Sequence, residues 1–339
     1  MTQPTLRLAI LDDYLGLGQA IVDWKQIPNL AVVSYRDHVY DEAQLIDRLG
    51  EFDFVMRIRE RTEFTEQVLR SLPRLKMILA TGMRNARSIN LKVTDELGIV
   101  VSATEAQHQT TVELTWALIL GYFRCIQSET ASLRAGGWQV TLGRGLAGKT
   151  LGILGLGNMG IPVAQIGKAF GMRVVTWSRN MTAERAAAHG VESVTKDELF
   201  TQSDVVTIHM PMSDDNAGII GAKEIARMKP DAFLVNTSRA QLIDEKALLV
   251  ALQSRRIGGA GLDVFETEPL PCDHPYRSLP NVIATPHIGF VTKENMEEFF
   301  HTSLANLKAF LAGSPVNVIT ATRPFLPESQ VARQLHARP

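Results

Sequence analysis

Cysteine is scarce in this chain, and its charges nearly cancel. The 339 residues contain only Cys125 and Cys272, one within an apolar helical pattern and one in a Pro-rich loop. Neither a disulfide framework nor a metal cluster is therefore expected, and we predict no metal site. The formal net charge of -1 gives no electrostatic reason to expect nucleic acid or an anionic membrane as a partner.

Long uninterrupted apolar runs are also missing. Charges break up the first apolar stretch, 6–11, almost at once, so we expect no signal peptide, and no run is long enough to span a bilayer. These absences favour a cytoplasmic protein. The length of 339 residues and the hydrophobic content of 45% are ample for two cores, and they predict two domains.

The stretch 150–179 has the pattern of a dinucleotide-binding βαβ unit. A short apolar strand is followed by Gly155-Leu-Gly157-Asn158-Met159-Gly160, then by a helical pattern and a second strand. Gly155 permits a tight turn, Gly157 lets the backbone approach a pyrophosphate, and Gly160 lets helix and strand pack closely. The N-terminus of the helix offers N–H groups to the anion, so the loop predicts a bound dinucleotide.

The residues after the second strand bear on which dinucleotide is bound. An NAD site normally has Asp or Glu here for the ribose hydroxyls, whereas this chain has Ser178 and Arg179. The guanidinium can pair with a 2′-phosphate and the serine can donate a hydrogen bond to it. We favour NADP. The alternative is NAD, with Arg179 lying exposed against the adenine.

Short apolar strands alternate with helical segments on both sides of this unit. Residues 1–102 predict a parallel sheet without a glycine fingerprint, which is more typical of a substrate domain than of a second nucleotide site. After the fingerprint, polar residues follow the predicted strands at His209, Arg239, Asp263 and His287. Ligands bind at that edge of a doubly wound sheet, which makes these residues candidates for a site. The alternative is that they only mark the points where strands end and polar loops begin.

Two apolar helices flank the fingerprint. Residues 110–113 have capping-box spacing and open a long helix whose apolar face runs through Trp116 to Ile126. This face predicts either a homodimer interface or ordinary intrachain core. A last amphipathic helix, 294–311, is expected to return the chain to the first domain. For residues 320–339 disorder is the default, with an arm onto a partner subunit as the alternative.

Three side chains could assist the reduction of a 2-oxo acid by hydride, which needs a cation for the carboxylate and a proton donor for the oxygen. Arg239 can bind the carboxylate, and His287 can protonate the oxygen that becomes a hydroxyl. Glu268 can hold the imidazole, fix its tautomer and stabilise its protonated form. Each has a structural alternative: a surface ion pair for Arg239, a turn before Pro269 for Glu268, and a satisfied buried histidine for His287.

Five motifs in this order and spacing resemble those of the D-isomer-specific 2-hydroxyacid dehydrogenases, and the resemblance covers nearly the whole chain. They are the glycine loop 155–160, His209-Met-Pro211, Asn236-Thr237-Ser-Arg239-Ala, Leu262-Asp263-Val-Phe-Glu-Thr-Glu268-Pro and Thr285-Pro-His287-Ile-Gly.

The resemblance implies an α/β fold of two doubly wound parallel-sheet domains. A Rossmann cofactor domain, 103–288, would be inserted in a flavodoxin-like substrate domain formed by 1–102 and 289–339, and domain closure would exclude water before hydride transfer. The same resemblance implies a small 2-oxo or 2-hydroxy acid as substrate. We predict a homodimer as the assembly.

The resemblance also implies roles for individual residues. Arg239 would bind the substrate carboxylate and carbonyl, His287 would be the acid/base and Glu268 its partner. Asp263 would tune the pH dependence, and His209 and Pro211 would line the nicotinamide side. Further cofactor contacts would come from the glycine loop, Ser178, Arg179 and Thr237. Substrate contacts would include Arg59 and backbone N–H groups at Gly82 and Met83.

Two departures from the family pattern leave questions open. Ser178 stands where an acidic residue is usual, which puts the common NAD preference in doubt. The substrate loop reads TGMRNARSIN rather than a glycine-rich turn with an Asp, which leaves the substrate open. Arginines at 57, 59, 61, 84 and 87 could suit a second anionic group, although solvated side chains are the simpler interpretation.

Glyoxylate or hydroxypyruvate reduction is therefore our first hypothesis, and phosphoglycerate dehydrogenase activity is the nearest alternative within the same class. A dinucleotide-sensing module, like the corepressors that share this fold, is the alternative from another class.

Overall fold

The computed structural model describes residues 5–82 and 88–325, which form two compact units. The first unit consists of the described residues up to Gln107 and from Thr292 onward, and the second is His108–Val291. The chain therefore changes unit a few residues after the sequence-based boundaries at 102 and 288. The second unit is an insertion in the first.

In the described ranges, thirteen strands are distributed over two sheets. In chain order they are β1 (Leu6–Leu11), β2 (Leu30–Ser34), β3 (Phe54–Arg57), β4 (Met77–Ala80), β5 (Val100–Ala103), β6 (Thr150–Leu154), β7 (Arg173–Trp177), β8 (Glu192–Ser193), β9 (Val205–Ile208), β10 (Phe233–Asn236), β11 (Gly259–Leu262), β12 (Val282–Ala284) and β13 (Val318–Ile319).

The α-helices that accompany them are α1 (Glu42–Leu49), α2 (Glu66–Arg70), α3 (Leu91–Leu97), α4 (Gln109–Phe123), α5 (Ile126–Arg134), α6 (Gly160–Ala169), α7 (Ala183–Ala187), α8 (Lys196–Gln202), α9 (Ala222–Arg227), α10 (Glu245–Gln253) and α11 (Lys293–Leu311). Short 3-10 helices lie at Trp24–Gln26, Asp214–Asn216, Ala240–Leu242 and Pro275–Arg277.

The sheet of the first unit has the order β13-β5-β4-β3-β1-β2. Strands β1 to β5 pair in parallel, and β13 is antiparallel to β5. Apart from β13 this is the doubly wound order 2-1-3-4-5, typical of flavodoxin-like folds. The central strands are fully buried because helices cover both faces, which explains their continuous apolar runs.

The sheet of the second unit has the order β12-β11-β10-β9-β6-β7-β8, and its pairings are all parallel. The order reverses between β6 and β9, which makes their carboxyl ends the topological switch point. This arrangement is the Rossmann topology. The predicted fold class, two doubly wound α/β domains, is thereby confirmed.

The helix after residue 108 differs from the sequence-based prediction in two ways. It begins at Gln109, and its N-cap residue makes no side-chain capping bond, so the capping box predicted at 110–113 is wrong. The Thr110 and Thr111 hydroxyls instead donate to the Gly289 carbonyl, at 2.8 and 3.1 Å. The helix also ends at Phe123, because Cys125 has φ +52°, and Ile126 belongs to a separate helix with an exposed side chain.

The chain forms a short strand, β13, just before residues 320–339, where disorder was the default expectation. Strand β13 was not predicted, because two residues are too short to show a period. Its neighbour Asn317 donates to the Asn306 side chain, which itself donates to the Ala103 carbonyl. Residues 326–339 lie outside the described part of the chain. No helix within the described ranges has both the length and the apolar character that crossing a membrane requires.

Candidate active site

The glycine loop lies at the switch point of the second sheet and is held there by close backbone contacts. Gly155 has φ +93°, and a Cβ atom on it would lie 2.6 Å from the His209 carbonyl oxygen. A Cβ atom on Gly160 would lie 2.1 Å from the Gly155 carbonyl oxygen. Both positions therefore exclude a side chain, since contacts under 3.0 Å cannot be accommodated between backbone atoms.

Gly157 differs from the other two glycines because its missing side chain faces open space. No heavy atom lies within 4 Å of the position that a Cβ atom would take. Gly157 and Asn158 are exposed, and Met159, the N-cap of α6, provides no side-chain capping bond. Helix α6 begins three residues after Gly157, at Gly160, and a helix N-terminus beside open space suits a pyrophosphate. The loop therefore fits a dinucleotide.

The chain after β7 carries two guanidinium groups at the expected ribose position. Arg179 forms an ion pair with Asp215, with 3.6 Å between Nη1 and Oδ2, and donates a hydrogen bond to the Asp215 carbonyl. Arg185 donates from Nη1 to the Asn180 carbonyl at 2.7 Å, a proximity that sequence spacing did not suggest. Ser178 is half-buried. The exposed pair with Asp215 is worth at most about 1 kcal/mol, so a phosphate could displace it.

The structure brings His287 and Glu268 into direct contact. The His287 Nδ1 atom lies 2.6 Å from Glu268 Oε2, and the two side chains are 15% and 27% exposed. Glu268 is itself oriented, because its Oε1 accepts the Phe265 backbone N–H at 2.9 Å. The ring of Phe290 packs edge-to-face with the imidazole. With Nδ1 on the carboxylate, Nε2 is the ring nitrogen that can face a substrate.

A buried carboxylate fixes the turn that carries His287. Asp263 follows β11 and is 1% exposed, and its Oδ1 accepts the Thr285 hydroxyl at 2.6 Å and the Ile288 N–H at 2.8 Å. Its Oδ2 accepts the Gly289 N–H at 2.8 Å. Burial raises the pKa of Asp263, and these hydrogen bonds and the nearby imidazole oppose the rise. His287 is held in this turn at φ +51°.

Arg239 lies in the loop at the carboxyl end of β10 and is half-buried. Its backbone is anchored by Asn236, whose side-chain amide donates to the Arg239 carbonyl at 2.8 Å. Its Nη1 donates to the Ser238 carbonyl at 2.6 Å. Strand β11 separates β10 from β12, so the loops that carry Arg239 and His287 are about two strand spacings, roughly 10 Å, apart.

The remaining predicted cofactor residues lie along the same edge. His209 follows β9, and its Nε2 lies 3.0 Å from the Thr207 hydroxyl. Burial lowers its pKa to about 4, so the ring is neutral near pH 7. Pro211 is exposed, and its carbonyl accepts the Asn216 side-chain amide at 2.9 Å. The Thr237 hydroxyl is buried against that of Thr115 at 2.8 Å.

Of the other predicted substrate residues, Arg59 and Gly82 belong to the first unit. The backbone N–H of Arg59 donates to the Thr81 hydroxyl at 2.8 Å, and the side chain is 17% exposed. The Gly82 N–H donates to the Thr104 hydroxyl at 2.9 Å, a bond it would have to release to bind a carboxylate. Met83 lies outside the described residues, as do Arg84 and Arg87.

Arg57 corrects the interpretation of the arginine cluster as solvated side chains. It is 0% exposed, and burial lowers its pKa to about 10. Sequence reasoning missed this residue, as it missed Thr285 and Phe290. A weak signal existed, since Arg57 directly follows the apolar run of β3. Within residues 5–82 and 88–325, no group of three or more His, Cys, Asp or Glu side chains could hold a metal ion.

Comparison with known proteins identifies a family model and named relatives. The model of the D-isomer specific 2-hydroxyacid dehydrogenase NAD binding domain matches residues 116–289. The glyoxylate reductase of Aeropyrum pernix is 38% identical over 265 residues, covering 74% of this chain and 78% of that protein. The D-3-phosphoglycerate dehydrogenase of Methanocaldococcus jannaschii is 37% identical over 295 residues, which is 86% of this chain but only 55% of that protein.

A solved structure has the same architecture over nearly the full length. The putative D-3-phosphoglycerate dehydrogenase oxidoreductase of Ralstonia solanacearum superposes with a TM-score of 0.85 at 38% identity. The match covers 95% of this chain and 98% of that one.

The exposed Gly157 and the buried Gly160 predict different effects of one added methyl group. Gly157→Ala should leave thermal stability almost unchanged, because the methyl group meets nothing in the protein, but should weaken dinucleotide binding at least tenfold by occupying the space for the pyrophosphate. Gly160→Ala should cost about 1–3 kcal/mol of stability, because its methyl group meets the Gly155 carbonyl.

Thermal unfolding and titration of dinucleotide fluorescence measure the two effects separately. Equal dinucleotide affinity in wild type and Gly157→Ala would show that the pyrophosphate does not approach this glycine.

Proposed function

The chain belongs to the D-isomer-specific 2-hydroxyacid dehydrogenases and is a nicotinamide-dependent oxidoreductase, and within that family we propose that it reduces glyoxylate or hydroxypyruvate with NADPH. The observation that carries this proposal is the 2.6 Å contact between His287 and Glu268, at the carboxyl edge of the sheet that bears the glycine loop. A histidine oriented by a carboxylate is suited to proton transfer.

The residues of the second unit would divide the reaction between them. Bound nicotinamide supplies the hydride, which goes to the 2-carbon of the oxo acid. The guanidinium of Arg239 holds the substrate carboxylate and polarises the carbonyl. The Nε2 of His287 gives its proton to the carbonyl oxygen, so that a hydroxyl forms, and Glu268 stabilises the imidazolium before the transfer. In the oxidative direction the same nitrogen accepts the proton.

Phosphoglycerate dehydrogenase activity remains the second candidate, because relatives of that name match this chain closely. Its substrate carries a phosphate and would need a further cationic contact. The half-buried Arg59 could supply it, whereas the Arg61 guanidinium is already engaged by the Asp12 carbonyl at 2.8 Å. A dinucleotide-sensing module without turnover is not favoured, since the named relatives are enzymes.

A panel of 2-oxo acids assayed with NADPH tests the function, and His287→Ala tests the mechanism. The variant should lose about a thousandfold in kcat, the range of general acid catalysis, and should bind NADPH as wild type does. His274→Ala is the matched control, because His274 also faces a glutamate, with 3.6 Å between its Nε2 and Glu245 Oε1. Its kcat should stay within a few-fold of wild type. Undiminished turnover in His287→Ala would remove the assigned role.

The cofactor preference for NADPH follows from the residues after β7. Position 178 offers no carboxylate to repel a 2′-phosphate, and Arg179 and Arg185 both lie on the adjoining segment. Arg179→Ala should raise the KM for NADPH about tenfold or more and leave that for NADH unchanged, because only NADPH carries the phosphate. Arg173→Ala is the control, since Arg173 is a comparably exposed arginine of β7 that pairs with Glu192 at 2.6 Å. Parallel changes for both cofactors would contradict the preference.

We propose that the chain forms a homodimer through a surface of the second unit. Its helix α5 and the following loop expose large apolar side chains, with Trp138 74% and Leu142 94% exposed. The loop is nevertheless ordered, because Glu129 accepts the Val140 N–H at 3.2 Å and the Thr141 N–H at 2.7 Å. An ordered apolar surface of this kind is typical of an interface, and a second copy of the chain is the occupant that we propose.

Light scattering after size exclusion should therefore give the mass of a dimer. Leu142→Asp should shift the mass to that of a monomer, because a buried charge without a partner opposes association. Val250→Asp, at a 65% exposed position on α10, should not. A dimer that survives Leu142→Asp would place the interface elsewhere.

A further inference from the structure

The first unit contains a second buried polar cluster, at the carboxyl edge of its own sheet. At its centre is Asp12, the residue after β1, which is 1% exposed. Asp12 has φ +55°, a left-handed conformation that is uncommon for residues other than glycine. A buried carboxylate in such a conformation requires compensating contacts.

Those contacts join Asp12 to two other segments of the unit. Its Oδ1 lies 2.8 Å from His38 Nδ1, and its Oδ2 accepts the Thr62 hydroxyl at 2.5 Å. Its backbone carbonyl accepts Arg61 Nη1 at 2.8 Å, and the Arg61 guanidinium lies 4.6 Å above the centre of the Tyr14 ring. Asp12 is therefore bound to two consecutive residues of the segment that follows β3.

The same segment carries Arg59, the residue expected to contact substrate. Arg59 also has a left-handed backbone, with φ +58°. Such a conformation costs about 1–3 kcal/mol and persists only where neighbouring contacts determine it. On one side of Arg59, the buried Arg57 donates from Nη1 to the Thr62 carbonyl at 2.9 Å and to the Ser88 hydroxyl at 2.8 Å. On the other side, Thr62 is held by Asp12.

We propose that Asp12 and Thr62 are positioning residues that fix Arg59 for binding of the substrate anion. The inference rests on the proposed function, in which Arg59 contacts the oxo acid. Asp12 is not itself in contact with substrate in this scheme. Its carboxylate, anchored to β1 and to His38, holds the Thr62 hydroxyl, and thereby keeps the short turn 58–62 in the one conformation that orients the Arg59 guanidinium.

Asp13, the residue after Asp12, is a control that distinguishes this positioning role from ordinary stabilisation of the core. Asp13 is also buried, at 2% exposed, and also accepts three hydrogen bonds. Its donors are the Leu17 N–H and the Gly18 N–H, each at 2.8 Å, and the Ser34 hydroxyl at 2.5 Å. These donors belong to the loop after β1 and to β2, not to the turn of Arg59. Asp13 is therefore a matched control of equal burial and different connection.

The experiment is steady-state kinetics of the full chain with the 2-oxo acid varied at saturating NADPH. Thr62→Val removes the hydroxyl donor and keeps the shape, whereas Thr62→Ser keeps the donor. Thr62→Val and Asp12→Asn should each raise the KM for the oxo acid about tenfold, the equivalent of about 1.4 kcal/mol, with the KM for NADPH unchanged. Thr62→Ser should restore the wild-type value. Asp13→Asn should lower the melting temperature and leave the KM for the oxo acid unchanged.

A second measurement does not depend on turnover. Calorimetric binding of oxalate, a dicarboxylate that cannot be reduced, to the NADPH-loaded protein should rank the variants in the same order. If Asp12→Asn does not fold, the pair Thr62→Val and Thr62→Ser decides, since each changes only a few atoms. The inference is overturned if that pair gives equal KM values and equal oxalate affinities, or if Asp13→Asn raises KM as much as Asp12→Asn.

Arg59→Ala tests whether Arg59 binds the substrate anion, which the positioning role requires. This variant should raise the KM for the oxo acid at least as much as Thr62→Val. A wild-type KM in Arg59→Ala would overturn the positioning role, while turnover of wild type itself would still support the oxidoreductase. Absence of turnover by wild type with the whole panel of oxo acids would count against the proposed substrate, and the ranking by oxalate would still decide the positioning role.

Discussion

The hydrogen bonds accepted by Asp263 are the constraint on which the candidate active site depends. A carboxylate that is 1% exposed is costly to bury, and three donors from the turn 285–289 offset that cost. Those donors, Thr285, Ile288 and Gly289, all belong to one turn, so satisfying the carboxylate also fixes the turn. The turn places His287 at φ +51°, a conformation that the residue would not adopt on its own. Burial raises the pKa of Asp263, and its hydrogen bonds and the imidazole act in the opposite direction.

The rest of the second unit brings the other groups to the same edge by strand direction alone. Parallel strands end together, so the residues after β9, β10, β11 and β12 share an edge with the glycine loop after β6. Gly155 and Gly160 make this possible because the chain there passes too close to other backbone atoms to admit a side chain. Gly157 serves a different purpose, since its missing side chain leaves space for a ligand rather than for the protein. Internal packing therefore requires two of the three glycines, and the approach of a ligand requires the third.

Sequence reasoning predicted what depends on local pattern and missed what depends on distant partners. The apolar stretch 6–11 is strand β1, and the amphipathic pattern 294–311 agrees with the bounds of helix α11 to within one residue. The predicted capping box failed because the Gly289 carbonyl, far along the chain, takes the hydroxyls of Thr110 and Thr111. The break at Cys125 left no signal, because a cysteine occupies the left-handed position where a glycine or asparagine would have marked the end of a helix. The burial of Arg57 was not predicted either. Only the fold shows that the Thr62 and Ser88 carbonyls and the Ser88 hydroxyl accept hydrogen bonds from its guanidinium.

The two units use one device at corresponding places. In each, a buried aspartate directly after a strand accepts donors from a neighbouring turn, and that turn holds a basic residue in a left-handed conformation. Asp263 does so for His287 through three donors, and Asp12 does so for Arg59 through Thr62 and Arg61. A carboxylate suits this task better than an amide, because it only accepts hydrogen bonds and can satisfy several N–H and O–H groups at once. An asparagine would present two donors of its own to a ring of donors and leave some of them unpaired. The acidic character of these positions thus follows from the number of donors to be satisfied as well as from any charge that the reaction requires.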